Sequence, residues 1–499
     1  MSSAQYPILL IAVPLLSAFI LNIAGWFNKK YCLPVVIVAL SGSVYASFGT
    51  LFRVLEEGTI RYRLGAWLPP MGIEYVVDHL NGLVLCIVSS VGLITAIYSK
   101  RSVEQELPER IPQFYTLYIL LVTGLLGIMV TGDAFNLYVL LEIAALTAYA
   151  LLAVGEDRAV LSSFHYVIMG TIGACFYLLG VGFLYIKTGS LNMIDLHGLL
   201  PGLFGSNVIV VGFAMIMIGV WVKMAFFPLH GWLPNAYTYA PSATSCLVAP
   251  LMTKVSVYVM IRIMFSVFSP EFTFEVLACR HIIVWLAVAA IIAGSLLALA
   301  QTDFKKMLTY VVVAEVGYMA GGVWLANTAA ITGAILHILN DALMTLCLFM
   351  TAGIIVYKTR GHQFENLKGL YRTMPFTMTA FTVGVLSMMG VPPTCGFFSK
   401  WYLILGAIRA EHWVFMGALL FSSLVNAVLF FRIIEIGYFE PFTDHHAHGD
   451  DHQPEPIDEA PLSMVIPLWI VAAALVIVGM YTSGIVTKVI QFAVPEGIV

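Results

Sequence analysis

The chain has 499 residues, of which 60% are hydrophobic and only 10% charged, and its mean hydropathy is +0.93. A soluble protein carries about 25% charged residues, so this composition excludes a soluble globular domain and indicates an all-α polytopic membrane protein. The net charge of −4 lies mostly in short loops and excludes a basic nucleic-acid-binding face. The seven cysteines stand singly, without the Cys-x-x-Cys spacing of a metal site.

Runs of about 20 apolar residues, each able to cross about 30 Å of hydrocarbon as a helix, recur along the chain. The first run lacks the positive flank and cleavage site of a signal peptide, so we expect it to be a retained helix. The runs predict about fourteen spans, near 6–26, 32–52, 79–99, 114–131, 134–154, 162–187, 206–230, 242–266, 281–300, 306–326, 329–357, 374–392 (resuming at 395–409), 411–436 and 463–486.

The loops between spans are short and uneven in charge. Loops after odd-numbered spans hold more Lys and Arg than the others, so the positive-inside rule places them in the cytoplasm and both termini outside. Alternating polar and apolar residues around the Pro-Pro-x-Gly turn of 61–75 predict a hairpin outside the membrane. The His/Asp/Pro-rich stretch 444–460 is interpreted as a solvated loop; the alternative is a divalent metal site on His445, His446, His448 and His452.

Four ionisable residues interrupt the apolar runs: Glu142, Lys223, Lys254 and Lys400. A charge within hydrocarbon costs at least a few kcal/mol, so such residues usually mark an ion pathway. We interpret them as a route for protons. If Glu142 contacts Lys223, moving or protonating the carboxylate would send a proton from Lys223 toward Lys254, and the pair would act as a switch.

Two of the four lie beside helix breakers. Pro228 and Pro234 follow Lys223, and Gly390 with Pro392 and Pro393 precedes Lys400. Proline removes a backbone donor, so the seventh and twelfth spans should be broken within the membrane. Such breaks are tolerated where the backbone is buried in protein or lines a watery cavity. They occur at the ion sites of transporters that are built from two repeated halves.

Further polar residues are candidates for extending the relay, with helix–helix hydrogen bonding as the alternative for His337 and for the hydroxyl residues. His165 and Glu315 could instead contact headgroups, and Asp133 is expected in a solvated loop. The candidates are His165, His230, Thr253, Ser256, Glu315, His337, Asn340, Asp341, Thr394 and Ser399.

Several motifs together resemble the antiporter-like proton-pumping family, which comprises the D subunits of Mrp antiporters, the large membrane subunits of respiratory complex I and membrane-bound hydrogenase relatives. The resemblance covers nearly the whole chain. The motifs are FNLYVLLE at 135–142, KMAFFPLHGWLPNAY at 223–237, APSATS at 240–245, MTKVSVYVMIR at 252–262, DFKK at 303–306 and GVPP at 390–393 with Lys400.

The resemblance implies two inverted five-helix repeats, with spans 4–8 in 111–270 and spans 9–13 in 271–440. Segment 1–110 would hold three flanking helices, 441–462 a cytoplasmic loop and 463–499 the last helix. Glu142 and Lys223 would form the first half-channel pair, Lys254 the connection and Lys400 the second half-channel. His337 would occupy the central axis.

The chain departs from the family pattern at four positions. Thr345 stands where a lysine is frequent, Asp341 where a second histidine is frequent, and Glu315 where glutamine is frequent. His165 occupies a site that is often lysine or glutamate. These departures leave more than one host complex open.

The resemblance implies a proton-translocating subunit, foremost of an Mrp-type Na⁺/H⁺ antiporter in a prokaryotic inner membrane. The alternative is a subunit of a complex I-like NADH or ferredoxin dehydrogenase or a membrane-bound hydrogenase. Its partners would be other membrane subunits, lipid, H⁺ and Na⁺, and no cofactor, metal or catalytic residue of its own is expected.

Two rival classes stay open on the residues alone. A stand-alone carrier of an organic solute would show varied hydrogen-bonding groups in place of a lysine series. A structural scaffold with a decayed proton path would account for Thr345. A membrane enzyme is disfavoured, because the spans show no nucleophile–base pair.

Overall fold

The structure, a computed structural model, describes residues 5–155, 158–440, 458–495 and 498. In these ranges the strands are β1 (Ile60–Arg63) and β2 (Glu74–Val77). The α-helices are α1 (Tyr6–Phe27), α2 (Cys32–Glu57), α3 (His79–Glu106), α4 (Ile111–Val130), α5 (Ala134–Ala153), α6 (Ala159–Thr188), α7 (Met193–Leu199), α8 (Asn207–Lys223), α9 (Leu233–Tyr239), α10 (Ser242–Arg262), α11 (Arg280–Leu299), α12 (Phe304–Trp324), α13 (Thr328–Thr359), α14 (Leu370–Thr373), α15 (Pro375–Met389), α16 (Cys395–Arg409), α17 (Trp413–Phe439), α18 (Leu462–Met480) and α19 (Thr482–Lys488).

The helices confirm the polytopic all-α fold. Within the described residues, 12 helical segments are long and apolar enough to cross a membrane. The apolar helices α8 and α15 are shorter, with 17 and 15 residues, because each is the first half of a broken span. Together they account for the expected set of about fourteen spans.

Both predicted breaks are present. Helix α8 ends at Lys223, and a turn-rich segment leads to α9 at Leu233. Helix α15 ends at Met389, where Gly390 takes a left-handed φ of 89° that favours glycine. Helix α16 then resumes at Cys395. Hydropathy alone predicted that the seventh span continues to residue 230, but its helix ends at Lys223. The Phe-Phe-Pro sequence that follows cannot continue the helix.

The innermost helices are those that carry Lys254, Glu315 and Asp341. The most apolar window of α10 is 100% buried, and those of α12 and α13 are each 94% buried, against 33% for α1 and 39% for α6. Helices α1 and α6 thus have faces open to lipid. Lys254 on α10, Glu315 on α12 and Asp341 on α13 are surrounded by protein instead.

The expected hairpin is confirmed between α2 and α3. Strands β1 and β2 pair antiparallel with Ile60 opposite Val77. Just after β2, Asp78 caps α3 by accepting hydrogen bonds from the N–H groups of Leu80 and Asn81. Burial acts to raise the pKa of Asp78, but the Arg262 guanidinium, at 2.6 Å, and these hydrogen bonds outweigh it and hold the pKa below its usual value.

The structure corrects the expectation that Asp133 is solvated. Its residue is only 7% exposed, and its carboxylate accepts a 2.7 Å hydrogen bond from the Asn136 N–H at the start of α5. The loop after α6 covers it, since the backbone of 132–134 is hydrogen-bonded to Leu191 and Met193. Burial raises the pKa of Asp133.

The four histidines His445, His446, His448 and His452 lie outside the described residues. The interpretation of 444–460 as a solvated loop therefore stays a prediction.

Candidate functional site

The structure brings Glu142 of α5 and Lys223 of α8 together. Lys223 Nζ lies 2.8 Å from Glu142 Oε1, and the side chains are 7% and 23% exposed, respectively. Lys223 is the last residue of α8, where the carbonyl end of the helix dipole favours a positive charge. The break after Lys223 therefore helps to hold its ammonium inside the protein.

A small cavity adjoins this pair on the side of α10. Its volume of about 10 Å³ leaves room for about one water molecule, and the residues that line it include Tyr138, Glu142, Lys223 and Ser256. Ser256 lies two residues beyond Lys254 on α10 and donates a 2.9 Å hydrogen bond to the Met252 carbonyl. The cavity thus reaches from the first ion pair to the helix that carries Lys254.

Lys254 forms a second ion pair, with Asp341 of α13. The distance from Nζ to Oδ2 is 2.8 Å, and the side chains are 2% and 0% exposed. Thr345 donates a 2.8 Å hydrogen bond to Asp341 and accepts one of 3.4 Å from Lys254. A buried charge without a partner costs several kcal/mol, so each group of this pair needs the other.

His337 lies one helical turn from Asp341, fully buried. Its Nε2 is 2.5 Å from Glu315 Oε2 of α12, and its Nδ1 is 2.9 Å from Ser399 Oγ of α16. Glu315 is 0% exposed, so the alternative position near headgroups is wrong. Both nitrogens of the imidazole face groups that can exchange a proton.

Lys400 of α16 belongs to the same cluster. Its Nζ lies 4.0 Å from Glu315 Oε1 and donates a 2.6 Å hydrogen bond to the Met388 carbonyl. That carbonyl is free because α15 ends at the next residue, and helix ends leave their last carbonyls without intrahelical partners. The second break therefore supplies a direct hydrogen-bond acceptor to Lys400.

Three residues of α13 connect these groups. Thr345, Asp341 and His337 are spaced by four residues and so share one helix face, with a rise of about 6 Å between neighbours. From this face Asp341 reaches Lys254, and His337 reaches Glu315. The result is a row of charged groups across the innermost helices.

Other candidate relay residues lie apart from this row. His165 is exposed on α6 and lines a groove on the side of the protein with Pro228 and Trp232. His230 is stacked on Phe227 with ring centroids 5.2 Å apart. Asn340 donates a 2.7 Å hydrogen bond to the Cys395 carbonyl and so ties α13 to α16. Thr394 bonds its own turn through the Val391 carbonyl.

Sequence reasoning did not identify the partners of Lys254 and Lys400. Asp341 and Glu315 were candidate relay residues only, although they supply the counter-charges. The signal available in the sequence was charge balance, because buried lysines require buried carboxylates. Across the described residues, no three His, Cys, Asp or Glu side chains are grouped closely enough to hold a metal ion.

The chain is similar in sequence to a known family and to two kinds of characterised subunit. The family model described as NADH:quinone oxidoreductase/Mrp antiporter, TM matches residues 131–426. The NADH-quinone oxidoreductase N subunit of Desulforudis audaxviator is 41% identical over 501 residues, covering 99% of each chain. The Na(+)/H(+) antiporter D subunit of Alkalihalophilus pseudofirmus is 31% identical over 430 residues, covering 85% of this chain and 86% of that one.

A solved structure agrees with these relatives. A chain of the membrane-bound sulfane sulfur reductase, an archaeal respiratory membrane complex, superposes with a TM-score of 0.89 at 29% identity, covering 98% of this chain and 96% of that one. The family match spans both helix breaks and all the charged residues of the row. The chain therefore belongs to the NADH:quinone oxidoreductase/Mrp antiporter transmembrane family, as its motifs indicate.

Proposed function

We propose that this antiporter-like subunit moves protons along the row from Glu142 to Lys400 within a larger membrane complex. The observation that carries the proposal is the row itself. Each of its three buried lysines lies within 4.0 Å of a carboxylate. From Lys254 to Lys400 the row alternates between base and acid, through Asp341, His337 and Glu315. A structural role would not require a titratable group at every step.

The first pair works as a switch in this proposal. At 2.8 Å and an effective dielectric near 20, the attraction between Glu142 and Lys223 is on the order of 5 kcal/mol. Moving Glu142 toward its exposed side, or protonating it, removes this attraction. The buried ammonium of Lys223 is then poorly solvated and releases its proton into the cavity beside Ser256, toward Lys254.

The second cluster works by competition for one carboxylate. Glu315 faces both His337 and Lys400, and its single negative charge balances only one cation. A proton that reaches His337 by way of Asp341 therefore favours release of a proton from Lys400. The broken backbone beside Lys400 fits an exit, because such backbone is tolerated where it lines a watery cavity.

Reconstitution tests the proposal. The complex is purified from membranes and reconstituted into lipid vesicles. Acidification of the vesicle interior is then followed with a pH-sensitive dye. We expect the K223Q/K254Q/K400Q variant to lose acidification, while K187Q, a control at an exposed lysine of α6, keeps it. Full acidification by an intact, assembled triple variant would overturn the proposal.

Two host complexes are supported by the relatives. The 41% identity to an NADH-quinone oxidoreductase subunit favours a complex driven by electron transfer in partner chains. The 31% identity to an antiporter subunit favours a complex driven by a sodium gradient. Copurification separates them: iron–sulfur or hydrogenase proteins would indicate the first, and small membrane subunits alone the second.

The proposal includes the arrangement of the two repeats and of the chain termini in the membrane. Residues 111–270 and 271–440 would be inverted repeats, each with one broken helix, and both termini would face the outside of a prokaryotic inner membrane. Reporter fusions at the two termini test the orientation: activity restricted to the cytoplasm at either end would contradict it.

A further inference from the structure

We propose that a groove between the ends of α2, α3 and α4 binds an anionic phospholipid. The groove has a volume of about 620 Å³. Its walls come from apolar residues at helical spacing: Leu33 and Ile37 on α2, Ile97 on α3, and Ile111 on α4. Pairs spaced by four residues share a helix face, so this wall is continuous and suits a hydrocarbon chain.

The rim of the groove is basic. Lys29 and Lys30 precede α2, Lys100 lies near the end of α3, and all three line the groove with exposed side chains. Among the described residues, none of the three forms an ion pair with a carboxylate. The one acidic lining residue, Glu104, is paired with Arg101 at 3.2 Å.

Two further contacts shape a headgroup site. Lys29 Nζ donates a 3.1 Å hydrogen bond to the Pro108 carbonyl, which holds the ammonium at the rim. Ser463 of α18 also lines the groove. A phosphate at the rim would place its charge beside the lysines.

The basic rim favours an anionic phospholipid over an apolar helix as the occupant of the groove. A neighbouring apolar helix would cover the wall but leave the three ammonium groups at the rim without counter-charges. A lipid with a phosphate headgroup and an acyl chain matches both parts of the groove at once. Basic pockets at the ends of membrane helices bind such headgroups for the same reason.

Native mass spectrometry of the detergent-purified full chain, or of the complex it purifies with, tests the proposal with phosphatidylglycerol as the probe. We expect retained phosphatidylglycerol and no comparable retention of phosphatidylcholine. Each lysine near an anionic group contributes about fivefold to affinity, so K29Q/K30Q/K100Q should bind about a hundred-fold more weakly. The matched control R61Q/R63Q, on the hairpin, should bind as the unmodified chain does.

A second variant tests the apolar wall. Ile97→Trp keeps every lysine and fills the groove, so it should also reduce phosphatidylglycerol retention, and excess inorganic phosphate should not displace the lipid. Circular dichroism and gel filtration check that each variant is folded. Equal retention by the triple lysine variant, equal retention of phosphatidylcholine, or displacement by phosphate would overturn the proposal.

Discussion

The two helix breaks hold their lysines in different electrostatic surroundings. Near the first, Lys223 meets one carboxylate, Glu142, whose side chain is 23% exposed and borders a cavity. Near the second, Lys400 shares Glu315, which is 0% exposed, with His337. In the proposed mechanism the first site changes state by moving one side chain, whereas the second changes only by redistributing protons. The same backbone device thus holds two lysines with different arrangements of charged partners.

The largest effect is expected where the two regions are joined. Lys254→Met should lower proton transport by about a hundred-fold or more, since it removes a positioned proton carrier. It also leaves Asp341 buried without a counter-charge, which should cost about 3–5 kcal/mol of stability. Vesicle acidification and thermal unfolding of the purified complex measure the two effects.

A double variant separates these effects. K254M/D341L removes both charges, so stability should return toward that of the unmodified chain while transport stays lost. Transport by the double variant would show that the two regions communicate without Lys254.

The second expected effect tests the shared carboxylate. Glu315→Gln should lower the free energy of unfolding by about 3 kcal/mol at neutral pH, because the buried Lys400 and His337 lose a charged partner. Chemical unfolding of the purified complex at neutral pH checks this; an unchanged free energy of unfolding would argue against a shared carboxylate.

The first region should respond more mildly in stability. Glu142→Gln should lower the free energy of unfolding by about 1 kcal/mol, because the carboxylate is partly exposed and water screens its loss. Transport should still fall by about a hundred-fold, since the switch is removed. If both glutamine variants lose equal stability, the contrast between the two regions is wrong.

The smallest effect concerns the orientation of His337. Ser399→Ala removes the 2.9 Å hydrogen bond to Nδ1 and should cost about 1 kcal/mol. Ser256→Ala, whose hydroxyl bonds only its own helix at the Met252 carbonyl, is the matched control. In thermal unfolding, Ser399→Ala should therefore lose more stability than Ser256→Ala. The reverse result would show that Ser399 does not stabilise the cluster around His337.

The sequence determined much of this architecture because its signals are local. Apolar runs set the spans, prolines set the two breaks after Lys223 and before Lys400, and isolated charges in those runs marked the buried lysines. Family motifs also indicated the partnership of Glu142 with Lys223. None of these signals needs knowledge of which helix lies beside which.

Tertiary structure alone decided the remaining partners. Spacing by four places His337, Asp341 and Thr345 on one face of α13, but packing decides that this face meets α10 and α12. Packing thus makes Asp341 the counter-charge of Lys254. It also buries Glu315, for which the sequence left a position near the headgroups open, and it covers Asp133 with a loop distant in sequence. Helical periodicity fixes directions around one axis, while an ion pair between helices depends on how two axes are placed.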